Sequence, residues 1–127
     1  MAGPNQVMAF DGRRKAPLRL VFWAAAAFSF AMAINPHPPH FQGEPGDKIE
    51  HMAAFATLAA LAAAAWPERR YATLGLGLSY FGAIIEIVQA IPALHRDCDI
   101  MDWVADTGAA IVVLTLVWIG RRLLRRS

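Results

Sequence analysis

The chain has 127 residues, 57% of them hydrophobic and only 17% charged, with a net charge of +2. That balance excludes an ordinary soluble domain and limits the chain to one folded unit. A basic pI of about 9.1 invites a nucleic-acid reading. The placement of the charges excludes it, because they flank apolar blocks instead of forming a basic face.

Four apolar blocks follow one another, each about 20 residues long, the length a helix needs to cross the hydrocarbon of a bilayer. The first, 17–34, starts at Pro17 and is ended by the prolines of "NPHPPH". The second, 47–66, stops at "WPERR". The third, 71–91, halts at Pro92, and the fourth, 99–120, ends in "RRLLRRS". The loops between them are too short to fold alone. The expected fold is therefore all-α: a polytopic membrane protein in the form of a four-helix bundle.

Ten of the twelve cations lie on one side of these blocks: Arg13, Arg14, Lys15, Arg19, Arg69, Arg70, Arg121, Arg122, Arg125 and Arg126. By the positive-inside rule that side is cytoplasmic and holds both termini, in a bacterial cytoplasmic membrane. Eight of the ten acids, all four histidines, Lys48 and Arg96 fall on the opposite face. "RRK", the apolar core and "AMA" also have the pattern of a cleavable signal peptide, whose loss would leave the other three spans oriented as before. Cys98 is the single cysteine, so no internal disulfide can form, while an intermolecular one on the outer face stays open.

The outer ends of the helices carry the chemistry. In "GDKIEHMAAF", Asp47 and His51 share a helix stripe, and Asp47 with Glu50 makes a capping box. Asp99 and Asp102 suit the start of the fourth helix, where the dipole favours carboxylates. Capping explains Asp47 and Asp99 as well as any chemistry does. It does not explain Asp106, which lies about 10 Å further along the axis than Asp99. Asp99, Asp102 and Asp106 form an i, i+3, i+7 stripe that must face the bundle interior or water, not lipid.

Glu86 and Gln89 share a face near the outer end of the third helix, and the short connector "PALHRDC" makes helices 3 and 4 antiparallel neighbours. Glu86 is expected at the depth of Asp102 or Asp106. Acids gathered there must share protons, hold a cation, or be neutralised by Arg96, Lys48 or His51. The bland alternative is a set of interhelical hydrogen bonds worth about 1 kcal/mol each. Gly75, Leu78, Ser79 and Gly82 read as a close-packing surface, and His37 and His40 as solvated loop residues.

"DKIEHMAAF", "EIVQ" and "HRDCDIMDWVADTGA" resemble, in order and spacing, the three motif blocks of the VanZ-like family of small bacterial membrane proteins. The matching positions are Asp47, Lys48 and His51; Glu86 and Gln89; and Arg96, Asp99, Asp102 and Asp106, over about 47–120. One departure is that the glycine expected three residues after the last acid falls at Gly108, with Ala109 in its place. The resemblance implies a role related to the cell envelope and to resistance to the glycopeptide teicoplanin, without supplying a reaction.

Three functions compete on these residues. The first is a site open to the outer leaflet that recognises or processes the head group of a membrane lipid or lipid-linked envelope precursor. Lys48 and Arg96 would hold a phosphate. Glu86, Asp102 and Asp106 would act as acid and base or hold a divalent cation, with His51 as proton carrier or ligand. Gln89, Asp47 and Asp99 would complete the ligand contacts. Such an oxygen-rich set suits Mg²⁺, Mn²⁺ or Ca²⁺ better than Zn²⁺. The second is a non-enzymatic binding or interaction protein, which the absence of a Ser or Cys beside a base favours. The third, an ion or proton pathway, finds no ionisable group but two tyrosines in the inner halves of helices 2 to 4. An oligomer could line a pore differently.

Overall fold

The computed structural model describes residues 4–35, 47–94 and 99–126, with side chains over 15–35, 49–93 and 99–126. It is all-helical: α1 (Pro4–Ile34), α2 (Asp47–Ala65), α3 (Tyr71–Gln89), a short 3₁₀ turn (Pro92–Leu94) and α4 (Ile100–Arg126). Three segments, Lys15–Ile34, Tyr71–Gln89 and Ile100–Arg126, are long and apolar enough to cross a membrane. The apolar part of α2, Ile49–Ala65, is shorter, yet α2 supplies more of the core than any other helix among the described residues.

The ends of the helices differ from the expected ones for local reasons. α1 starts at Pro4, not at Pro17, which lies inside it. Proline removes one backbone bond at its own position, and the Gln, Met, Arg, Lys and Ala residues before it are good helix formers, so the helix resumes on both sides. α4 runs six residues beyond Gly120 to Arg126. A Cβ at Gly120 would meet nothing, so that glycine marks neither a close contact nor a stop, and Arg125 and Arg126 suit the negative end of the dipole. α3 ends at Gln89, two residues before the expected stop, with Ala90 as its C-cap and a turn closed by the Ile91 N–H to Val88 O.

Packing follows from where the small side chains fall. Phe55, Leu58, Ala59, Ala62 and Ala63 make α2 the centre of the core, and its closest partner is α4, through Ala110 and Leu114. The alanines let the two backbones approach, as small residues do at membrane helix interfaces. α2 and α3 each touch all three other helices, so α1 and α4 lie on opposite flanks of that pair. At Gly82 an added Cβ would sit 3.3 Å from both Phe55 Cζ of α2 and Trp103 Cδ1 of α4. The close-packing surface expected on α3 is thus centred on Gly82. Phe81 stacks on Phe55 and Phe30, with centroids at 5.8 and 6.3 Å, and joins α3 to α2 and α1.

Cross-links at one end fix the directions. Arg19 Nε of α1 donates to Ala65 O at the end of α2 at 3.0 Å. Arg121 Nη2 of α4 donates to Ala63 O of α2 at 3.0 Å, and Arg121 Nη1 to Tyr71 Oη at the start of α3 at 2.9 Å. α2 and α4 therefore run parallel, with α1 and α3 antiparallel to them. The arginines gather at one end and the starts of α2 and α4 at the other.

Candidate functional site

Where α4 begins, the backbone is held by two acids. Asp99 is its N-cap: Oδ1 accepts the Met101 N–H at 2.9 Å, and the Asp99 carbonyl accepts the Asp102 N–H at 2.9 Å. The Asp99 N–H in turn donates to Glu86 Oε2 of α3 at 3.1 Å. Glu86 is 7% exposed, so a nearly buried carboxylate from one helix receives the first amide of the next. Asp99 itself is exposed and Asp102 half-buried.

Asp106, almost two turns further in, is 1% exposed. Its Oδ2 lies 3.8 Å from Nδ1 of His51 on α2, an ion pair when the imidazole is protonated. That separation exceeds a direct hydrogen bond, so the attraction is Coulombic. The other oxygen, Oδ1, is buried and accepts no hydrogen bond among the described residues. Gln89, 2% exposed, donates from Nε2 to Ala33 O at 2.8 Å, a carbonyl in the last turn of α1, while its Oε1 is buried without a donor among the described residues.

His51, Glu86, Gln89, Asp99 and Asp106 thus come from three helices to the same end of the bundle. Glu86 meets the backbone of Asp99 at the start of α4. Asp106 finds its partner on α2 instead. The side chains of Asp47 and Lys48, and the whole of His37, His40, Arg96 and Cys98, lie outside the described residues. Among the described residues, no three His, Cys, Asp or Glu side chains gather in a metal-binding group.

Beside Glu86 a groove of about 460 Å³ opens between α3 and α4, lined by Ala83, Glu86, Ile87, Ala90, Ile100 and Trp103. Ile87 and Ile100 are exposed along it, so it is an apolar channel that reaches one carboxylate. Trp103 forms its wall and is fixed there by the indole N–H, which donates to Ser79 O at 3.0 Å. Ser79 Oγ and Thr107 Oγ1, 3.1 Å apart, tie the same two helices one turn deeper. Trp103 was not among the residues expected in the site. Its position between Asp102 and Asp106 is a signal: a half-buried indole beside buried acids needs a polar partner for its N–H.

Compared with models of known protein families, with curated proteins and with solved structures, this chain matches none.

Proposed function

We propose that this chain is a VanZ-like four-span protein of the bacterial cytoplasmic membrane, its termini cytoplasmic, that recognises the head group of an envelope lipid or lipid-linked precursor from the outer side. The membrane setting draws on the exposed aliphatic and aromatic surface of α1, α3 and α4, which includes Leu20, Trp23, Phe28, Leu76, Ile111 and Leu116. An apolar surface of that extent calls for acyl chains or a partner around it. The VanZ-like assignment draws on the three motif blocks.

The observation that carries the ligand class is Asp106 Oδ1, a buried acceptor with no donor among the described residues; the apolar groove that reaches Glu86 is lined on α4 by Ile100 and Trp103, at the same end of the bundle. A buried carboxylate oxygen is costly to leave unbonded, so it favours a ligand that brings hydroxyl or ammonium donors. A sugar- or amine-bearing head group supplies them, with its chain in the groove and its phosphate on Lys48 and Arg96. Any turnover would use Asp106 and His51 as the proton-handling pair.

Recognition without turnover is the second reading, favoured by the bonds that Glu86 and Gln89 make to the backbone at Asp99 and Ala33. Native mass spectrometry of the chain extracted from bacterial membranes tests the first. Wild type should retain a phospholipid-linked head group that Asp106→Asn and Glu86→Gln lose while staying folded, and retention by both variants refutes it. A product released from the retained lipid separates turnover from recognition. Teicoplanin susceptibility of cells with and without the gene tests the resistance role.

A further inference from the structure

A second apolar groove lies away from the acids, toward the arginine-rich end. It is a groove of about 590 Å³ between α3 and α4, lined by Tyr71, Gly75, Leu76, Ile111, Leu114 and Trp118 among others, and it is almost wholly apolar. Gly75 keeps its floor low: a Cβ there would already touch Leu114 Cδ1 at 3.5 Å. At its end it runs into a second recess of about 310 Å³ formed by Arg70, Tyr71, Trp118, Arg121, Arg122 and Arg125. Tyr71 and Trp118 belong to both, so the apolar groove and the cationic recess are one continuous surface.

The recess is built, not merely charged. Arg121 is anchored by its bonds to Ala63 O and Tyr71 Oη and lies 5.9 Å from the Tyr71 ring centroid. Arg122 lies over the Trp118 ring at 5.3 Å. Four guanidinium groups line it and no acid does, and among the described residues no carboxylate pairs with Arg70, Arg122 or Arg125. Glu68, the nearest acid in sequence, is turned to Arg19 at 3.3 Å. Such a set lacks an anion, and guanidinium forks match phosphate oxygens.

We propose that this α3–α4 surface is a seat for an anionic glycerophospholipid, its phosphate on Arg70, Arg122 and Arg125 and one acyl chain along the groove over Gly75. Tyr71 and Trp118 stand at the junction, the level at which aromatic rings settle between head group and chain. A zwitterionic lipid is disfavoured because no carboxylate is there to meet its ammonium group. The seat rests on the helices lying in a bilayer, as proposed above, but not on the acid site at the other end.

The test is native mass spectrometry of the full chain in detergent with equal amounts of dioleoyl phosphatidylglycerol and phosphatidylcholine. Wild type should retain phosphatidylglycerol at least about five-fold over phosphatidylcholine, the factor that one interfacial arginine supplies. Arg70→Gln/Arg122→Gln/Arg125→Gln should bring the ratio close to one. Lys15→Gln/Arg69→Gln/Arg126→Gln, with the same loss of charge outside the seat, should preserve it. Thr115→Trp, at an exposed position on the groove, should lower retention of phosphatidylglycerol, and soluble glycerol phosphate should not displace it. Equal loss in both triple variants, retained preference in the first, or displacement by glycerol phosphate overturns the seat. Release of the chain from membranes by alkaline carbonate overturns the membrane reading as well, whereas a carbonate-resistant chain without lipid preference overturns the seat alone.

Discussion

The His51–Asp106 pair allows a test that separates function from stability. At 3.8 Å the two groups are too far apart for a direct hydrogen bond and close enough for a strong ion pair. At an effective dielectric constant of about 20, unit charges at this distance attract by about 4 kcal/mol, which sets the ceiling. Desolvation offsets much of that for a pair this buried. The expected coupling is therefore about 1–3 kcal/mol, above the ~0.6 kcal/mol average of hydrogen bonds between membrane helices. A double-mutant cycle with His51→Asn, Asp106→Asn and both, followed by far-UV circular dichroism during denaturation in mixed micelles, measures it. Asp106→Leu/His51→Leu carries the argument further. If the pair exists for stability, the double leucine variant should lose it. If it exists for a ligand, that variant should be as stable as wild type or more so, since replacing a buried ion pair by apolar residues is often neutral or stabilising by about 1–4 kcal/mol, yet retain no head group. Coupling below about 0.5 kcal/mol would show that His51 is not charged against Asp106, and the proton-handling role would fall with it.

Other substitutions probe the frame around the site. Gly82→Leu drives a side chain into Phe55 and Trp103, whose rings are already 3.3 Å from a Cβ there, and should cost at least about 1–3 kcal/mol in the same denaturation assay. Arg121→Gln strips donors from Ala63 O and the Tyr71 hydroxyl and should destabilise the arginine-rich end by about 1–3 kcal/mol, seen as earlier proteolysis of the α4 terminus. Gln89→Leu removes the bond to Ala33 O and should cost about 1 kcal/mol in the same denaturation assay. Trp103→Phe should keep the groove wall but free it from Ser79 O, lowering lipid retention more than stability.

The helices were legible because lipid-length apolar blocks and their charged borders obey a period and a length that tertiary structure rarely overrides. Their ends were not. Pro17 reads locally as a start, and only the helix-forming residues on both sides of it let the helix pass through. Of the candidate residues, Asp99 as a cap and Asp106 as an interior acid could be deduced from rise and dipole alone. Which group meets Asp106 could not, because the spacing offers Lys48, His51 and Arg96 alike and only the packing of α2 against α4 brings His51 to 3.8 Å. Trp103 escaped notice because a tryptophan at such a level reads equally well as a lipid-facing anchor. The arginines were legible as topology signals but not as a recess, since that needs Tyr71 and Trp118 from different helices side by side.

The parallel course of α2 and α4 sets the chemistry of both ends. Two helix N-termini open side by side at one end, and their combined positive potential favours carboxylates there by roughly 0.3–1 kcal/mol each, at most about 2. Two C-termini share the other end, where carbonyls in the last turn of α2 take the guanidinium donors of Arg19 and Arg121. Caps and dipoles thus account for Asp99, for Glu86 on the Asp99 amide, and for the anchored arginines. They do not reach Asp106, which lies beyond the first turn and still has a buried oxygen without a donor among the described residues. A sequence under pressure only to hold four helices together would put Asn or Leu at that position at less cost, and it is on this acid that the proposed ligand reading turns.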